Sequence, residues 1–297
     1  MTRYEEEIPN RADLERAVAT ATPPDQQPSA ETWWRAVCLA DLETIRRLVS
    51  DGANVNARDL ESGATGLHHA VTMGNRELMR ALIDCGAGVD EGDHDGCRPL
   101  HYAASFRLID LIDLLLASGA RVNVHGGREE DRNTTPLHMA LGMNWLSYPR
   151  GLQPRARASV DAVVLRLVQA GAKVTLRNGL GTSPLELAMG TTSFESMLAT
   201  VSHADRLCDP QGWTLLHVAA WKGELSAVRL LLARGCDPNR ETTREWVRGE
   251  PMKHRRVTVG AGVRPLDLAQ AQAKREVVDE LRGARASTGR AVEIEPT

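Results

Sequence analysis

The sequence predicts an all-α solenoid of about seven helix-turn-helix units with β-turn or hairpin tips. Three observations predict it. First, a short phrase recurs: Thr65-Gly66-Leu67-His68, Arg98-Pro99-Leu100-His101, Thr135-Pro136-Leu137-His138, Ser183-Pro184-Leu185-Glu186, Thr214-Leu215-Leu216-His217 and Arg264-Pro265-Leu266-Asp267. Its leucines lie 33, 37, 48, 31 and 50 positions apart, a period of 33 with one small deletion and three insertions. Second, a closing phrase follows, from Gly52-Ala53-Asn54-Val55-Asn56 through Gly86, Gly119 and Gly171 to Gly235-Cys236-Asp237-Pro238-Asn239. Third, apolar residues between the phrases keep to one helical face, as at Leu108, Leu111, Leu114 and Leu115, and at Leu225, Val228, Leu231 and Leu232. A helix pair this small cannot bury its own apolar side, so units with such a period must stack.

Taken in order, residues 1–29 do not match the repeat. Arg11 to Ala19 suits a short helix, and Thr20 to Ser29, with Pro23, Pro24 and Pro28, suits a linker. The repeats are expected over 30–284. In the degenerate first unit, setting Gly52 on Gly235 puts Trp33 at the Leu position and Trp34 at the His position. In later units Pro99, Pro136, Pro184 and Pro265 stand at the first helical position, where a missing N–H costs nothing. Thr65, Thr135, Ser183 and Thr214 precede the first helical position as N-caps. Gly86, Gly119, Gly171 and Gly235 end the second helices as left-handed residues. The distance from Leu to Gly is 19 in most units and 34 in the fourth, so an insertion near 144–159 lies inside that unit. The fifth unit lacks the Gly-Ala ending, and its second helix is expected over Ser193 to His203. A second insertion, near 240–262, reads as a hairpin: Arg244 to Arg248 and Arg255 to Val259 are β-prone around the turn Gly249-Glu250-Pro251. Residues 285–297 are expected to form a disordered tail.

The recurring phrases resemble the ankyrin repeat: about 33 residues, a β-turn and two helices, and a T-P-L-H-x-A start. The resemblance covers residues 30 to 284. It implies a concave surface of turn tips and first-helix faces that binds a partner. It also implies that the recurring histidine ties turn to helix by hydrogen bonds. His68, His101, His138 and His217 lie about one layer apart, roughly 10 Å, too far to share a zinc ion with bonds of ~2 Å.

Composition narrows function by exclusion. The net charge is −3 and the pI about 6.3, which gives no bulk attraction to nucleic acid or anionic membrane. Five cysteines at wide spacing suggest free thiols, neither a disulfide framework nor a zinc ribbon. Glu5, Glu6 and Glu7 stand where a secretory signal would be basic and then apolar, so a cytoplasmic protein is expected. The sequence contains no phosphate loop, nucleophile elbow, HExxH or nicotinamide fingerprint; Gly179-Leu180-Gly181 is the tip before Ser183. The expectation is a monomer without enzymatic activity, cofactor or metal, whose partner is another protein.

Candidate contact residues follow from what the repeat does not need. The resemblance implies that the positions four and five after the histidine, which hold Phe106, Trp221 and Lys222, look toward the concave face, where aromatic anchors suit an interface. The first insertion contributes Trp145, Tyr148, Arg150 and Arg155. The second contributes Trp246, Arg248 and Arg255, within a segment of six basic and three acidic residues, a local charge of +3 that suits an acidic partner surface. The same Arg and Trp residues could stack and pair with nucleic acid, the alternative expectation.

Overall fold

The computed structural model describes residues 30–127, 132–142, 158–210, 212–244, 246–250 and 255–284, the strand residues 246–250 and 255–258 by their backbone. The expected linker within 1–29 and the expected tail at 285–297 lie outside these residues. The chain divides after Leu180 into two compact units.

Among the described residues the first unit holds four helix pairs: α1 (Ala30–Leu39) and α2 (Leu42–Ser50), α3 (Gly66–Thr72) and α4 (Arg76–Asp84), α5 (Pro99–Phe106) and α6 (Ile109–Ala117), α7 (Pro136–Ala140) and α8 (Val160–Gln169). First helices pack on first helices of the next pair, and second on second. The described residues of the second unit hold three: α9 (Pro184–Leu187) and α10 (Ser193–Ala199), α11 (Leu215–Lys222) and α12 (Leu225–Ala233), α13 (Pro265–Ala271) and α14 (Arg275–Gly283). The same two-layer packing recurs there.

Local chemistry sets the helix ends. Asp41, Asn75 and Ser159 cap second helices through side-chain oxygens that accept from the N–H of Thr44, Leu78 and Ala162. Ser183 and Thr214 do the same for first helices. Gly86 has φ +90°, the left-handed residue that ends α4, where a side chain would be strained. Between these ends Leu67, Leu100, Leu137, Leu185, Leu216 and Leu266 are all buried. Each contributes about 2 kcal/mol of apolar burial, so within each unit these leucines form the centre of the core. Trp33, at the Leu position of the first pair, is buried among them.

Two elements differ from expectation. α10 stops at Ala199 and not at His203. The β-branched Thr200 caps it, with its hydroxyl donating to the Met197 carbonyl, and a short 3₁₀ turn, Ala204–Arg206, follows. The hairpin forms, but its first strand is β1 (Trp246–Glu250) and not Arg244 to Arg248: it pairs antiparallel with β2 (Arg255–Val259), from Trp246 opposite Val259 to Glu250 opposite Arg255, so Gly249 and Glu250, expected in the turn, are strand residues. Its base is tied by Thr242, whose N–H donates to Val263 and whose carbonyl accepts from Gly262. The other turn tips carry single bridges, Arg58 to Thr65, Gly126 to Thr134 and Cys208 to Thr214.

Candidate partner-binding surface

The recurring histidines belong to the interior. His68, His101 and His217 are at most 1% exposed. Each Nδ1 accepts from the backbone N–H three residues before it, that of Thr65, Arg98 or Thr214, at 3.0–3.1 Å. Each Nε2 must then carry the proton, and it donates to a carbonyl of the following turn: Cys97, Thr134 or Val263 at 2.9–3.1 Å. Burial disfavours the charged ring and lowers these pKa values to about 4, 3 and 4, against hydrogen bonds that favour protonation. Such imidazoles are neutral linkers between successive turns. In α9 and α13 the position is acidic: Glu186 and Asp267 accept from the N–H of Ser183 and Arg264 but have no proton to pass onward when ionised.

The structure separates the sequence-derived contact residues. Phe106 is 1% exposed, which corrects the expectation that it lies bare on the concave face. Its ring turns inward onto Tyr102 one helical turn earlier, edge-on with centroids 6.0 Å apart. Trp221 is half-buried and meets the buried Trp213 edge-on at 6.3 Å. Lys222 is exposed, with its Nζ donating to the Glu186 carbonyl at 2.6 Å. Trp246, Arg248 and Arg255 hold ribbon positions opposite Val259, Val257 and Glu250. Trp145, Tyr148, Arg150 and Arg155 lie outside the described residues.

A further row in the first unit was missed by sequence reasoning. Trp34, His69 and Tyr102 are half-buried on three successive pairs. Trp34 packs against His69 at 5.1 Å, and Tyr102 stands edge-on to His68 at 5.2 Å. Beneath them His69 pairs with Asp59 at 3.2 Å, and the Tyr102 hydroxyl donates to Asp93 at 2.6 Å. Burial alone would raise the Asp59 carboxyl, but hydrogen bonds from His69 and Ser62 outweigh it and hold it well below the usual carboxylate range. At Asp93 burial prevails over the bonds from Tyr102 and Cys97, and its pKa is raised. Both carboxylates are bonded to their own turns, so the row offers aromatic faces for contact and no exposed general base. Its signal was the residue after the histidine, His69 and Tyr102, together with an aspartate recurring before the phrase.

Among the described residues no three His, Cys, Asp or Glu side chains are grouped to hold a metal ion. No described helix is long and apolar enough to cross a membrane.

A family model for ankyrin repeats in three copies matches residues 33–126 and 156–242. The chain belongs to the ankyrin-repeat family. Ankyrin repeats are in general protein–protein interaction modules. The chain is 26% identical over 257 residues to the ankyrin repeat protein nuc-2 of Neurospora crassa, covering 76% of this chain and 24% of that one. It is 28% identical over 234 residues to human Rabankyrin-5, covering 77% of this chain and 18% of that one. It is 36% identical over 129 residues to the nuclear factor NF-kappa-B p105 subunit of Gallus gallus, covering 38% of this chain and 13% of that one. The chain thus spans less than a quarter of each of these relatives. The family match omits residues 127–155, with most of the first insertion, and everything after Thr242, with the ribbon.

Proposed function

We propose that this ankyrin-repeat chain is a monomeric, non-catalytic cytoplasmic adaptor that captures a protein partner through the turn and first-helix side of its repeats, supplemented by the two insertions. Trp221 carries this conclusion. The fold buries Trp213 to 3% exposure, yet leaves Trp221 only half-buried at its edge. The matching positions in two other pairs hold only Thr72 and Ser105. A large aromatic beside an exposed lysine, on a rigid frame that loses little entropy on binding, suits an interface anchor. The insertions add Trp145, Tyr148 and three arginines, and then the +3 segment, residue types and charge that suit an acidic partner. The free cysteines suit a reducing compartment.

The test is capture from native lysate with crosslinking mass spectrometry. It compares the full chain with Trp221→Ala and with chains in which 144–157 or 246–258 is replaced by a short Gly-Ser segment, so that the cap Ser159 and the buried Val259 stay. The expected outcome is unchanged helicity and melting in all variants and loss of capture in Trp221→Ala and at least one excision. A partner held with unchanged affinity by all three variants would refute the proposed surface.

A further inference from the structure

The ribbon has a property that no helix pair has, which is open sheet edges. Its sheet consists of β1 and β2, with no third strand among the described residues. In an antiparallel pair, alternate residues aim N–H and C=O away from the partner strand, and an open edge is a template for another extended chain. The two edges differ in quality. β2 reads Arg-Arg-Val-Thr-Val, with three β-branched residues and no glycine, proline or acid. β1 contains Gly249 and Glu250 and runs into Pro251.

Charge favours one kind of guest. Segment 240–262 carries six basic and three acidic residues, +3, in a chain of net charge −3, so the remainder carries −6. The acid at its base, Glu241, already accepts from Arg264 at 2.6 and 3.1 Å. The base is also fixed in place. Thr242 bonds Gly260, Gly262 and Val263 through backbone and hydroxyl, and Val259 is fully buried. The neighbouring tip presses so closely that a Cβ on Gly212 would lie 2.7 Å from the Thr243 nitrogen. A strand held this way is presented ready-made to an incoming segment.

We propose that the outer edge of β2 takes up an extended, acidic segment of the protein partner as an added strand, with Arg255 and Arg256 selecting its charge. Main-chain hydrogen bonds would supply affinity, and the arginines specificity. The proposal deepens the adaptor function by naming a mode and a partner chemistry.

Random twelve-residue peptides displayed against the full chain test it directly, without the natural partner. The expected selection is rich in Asp and Glu alternating with Val, Ile or Thr. Synthetic copies of the best peptide, N-methylated at odd or at even positions, should differ at least tenfold in affinity, because only one parity faces the edge. The double variant Arg255→Glu, Arg256→Glu should weaken the unmethylated peptide at least tenfold, with melting unchanged. Three results would overturn the proposal: selected peptides without acidic excess, equal tolerance of both methylation patterns, or no effect of charge reversal. Sedimentation that finds the ribbon occupied by a second copy of the chain would do so as well. The first three leave the adaptor function standing, since lysate capture through Trp221 is measured separately; a second copy on the ribbon would also overturn its monomeric state.

Discussion

Phe106 and Trp221 illustrate how much one side chain's direction decides. Both close first helices near the same register, but Phe106 sinks onto Tyr102 and Trp221 stays only half-buried. Phe106→Ala should therefore cost about 3–5 kcal/mol of stability, read as a lowered urea midpoint, because it empties a core site. Trp221→Ala should shift the midpoint by less than about 1 kcal/mol, the size of a partly exposed contact. The histidines set a pH dependence with a definite sign. His68, His101 and His217 have folded pKa values of about 4, 3 and 4, below the ordinary 6.5 of the unfolded chain. The folded state therefore binds fewer protons. Stability is whole above pH 6.5 and falls as pH drops toward 4, by about 1.4 kcal/mol per pH unit for each ring once the unfolded ring is protonated. Denaturation midpoints that stay level between pH 7.5 and 4.5 would contradict neutral buried rings.

At the scale of elements, the link between first and second helices repeats one backbone conformation with different residues. Gly74 and Gly223 hold φ +64° and +81°, while Ala40, Arg107 and Ala273 hold +54° to +58° at the matching positions. A left-handed alanine is strained by about 1–2 kcal/mol, of which the greater freedom of an unfolded glycine cancels part. Ala273→Gly should thus raise stability by roughly 0.5–1 kcal/mol, visible as a higher melting temperature. Much of this level was legible in the sequence. The Pro positions, the capping residues and the closing glycines each obey short-range rules, so Pro99 or Gly86 declares its place alone. The end of α10 was not legible, because Thr200 competes with the helix through a hydroxyl bond to Met197 that residue type leaves open. Nor was the row of Trp34, His69 and Tyr102, since ring contacts between successive pairs depend on side-chain angles and not on spacing. The inward turn of Phe106 is hidden for the same reason.

For the molecule as a whole, charge is unevenly placed, with +3 in 240–262 against −6 elsewhere. Encounter with an acidic partner should be steered by that segment. The association rate is expected to fall as salt rises from 50 to 300 mM, with the dissociation rate changing much less, in stopped-flow or surface-binding kinetics. Replacing 246–258 should flatten that dependence.

The imidazole bridges also constrain anyone who would shorten the protein. A cut after the pair that contains His68, His101 or His217 removes the carbonyl its Nε2–H reaches, stranding a donor built for a dry site. Asp267 already shows the remedy, because a carboxylate satisfies its own Arg264 N–H and asks nothing of a successor. Minimal versions of this scaffold should therefore terminate on a pair whose histidine has been exchanged for aspartate.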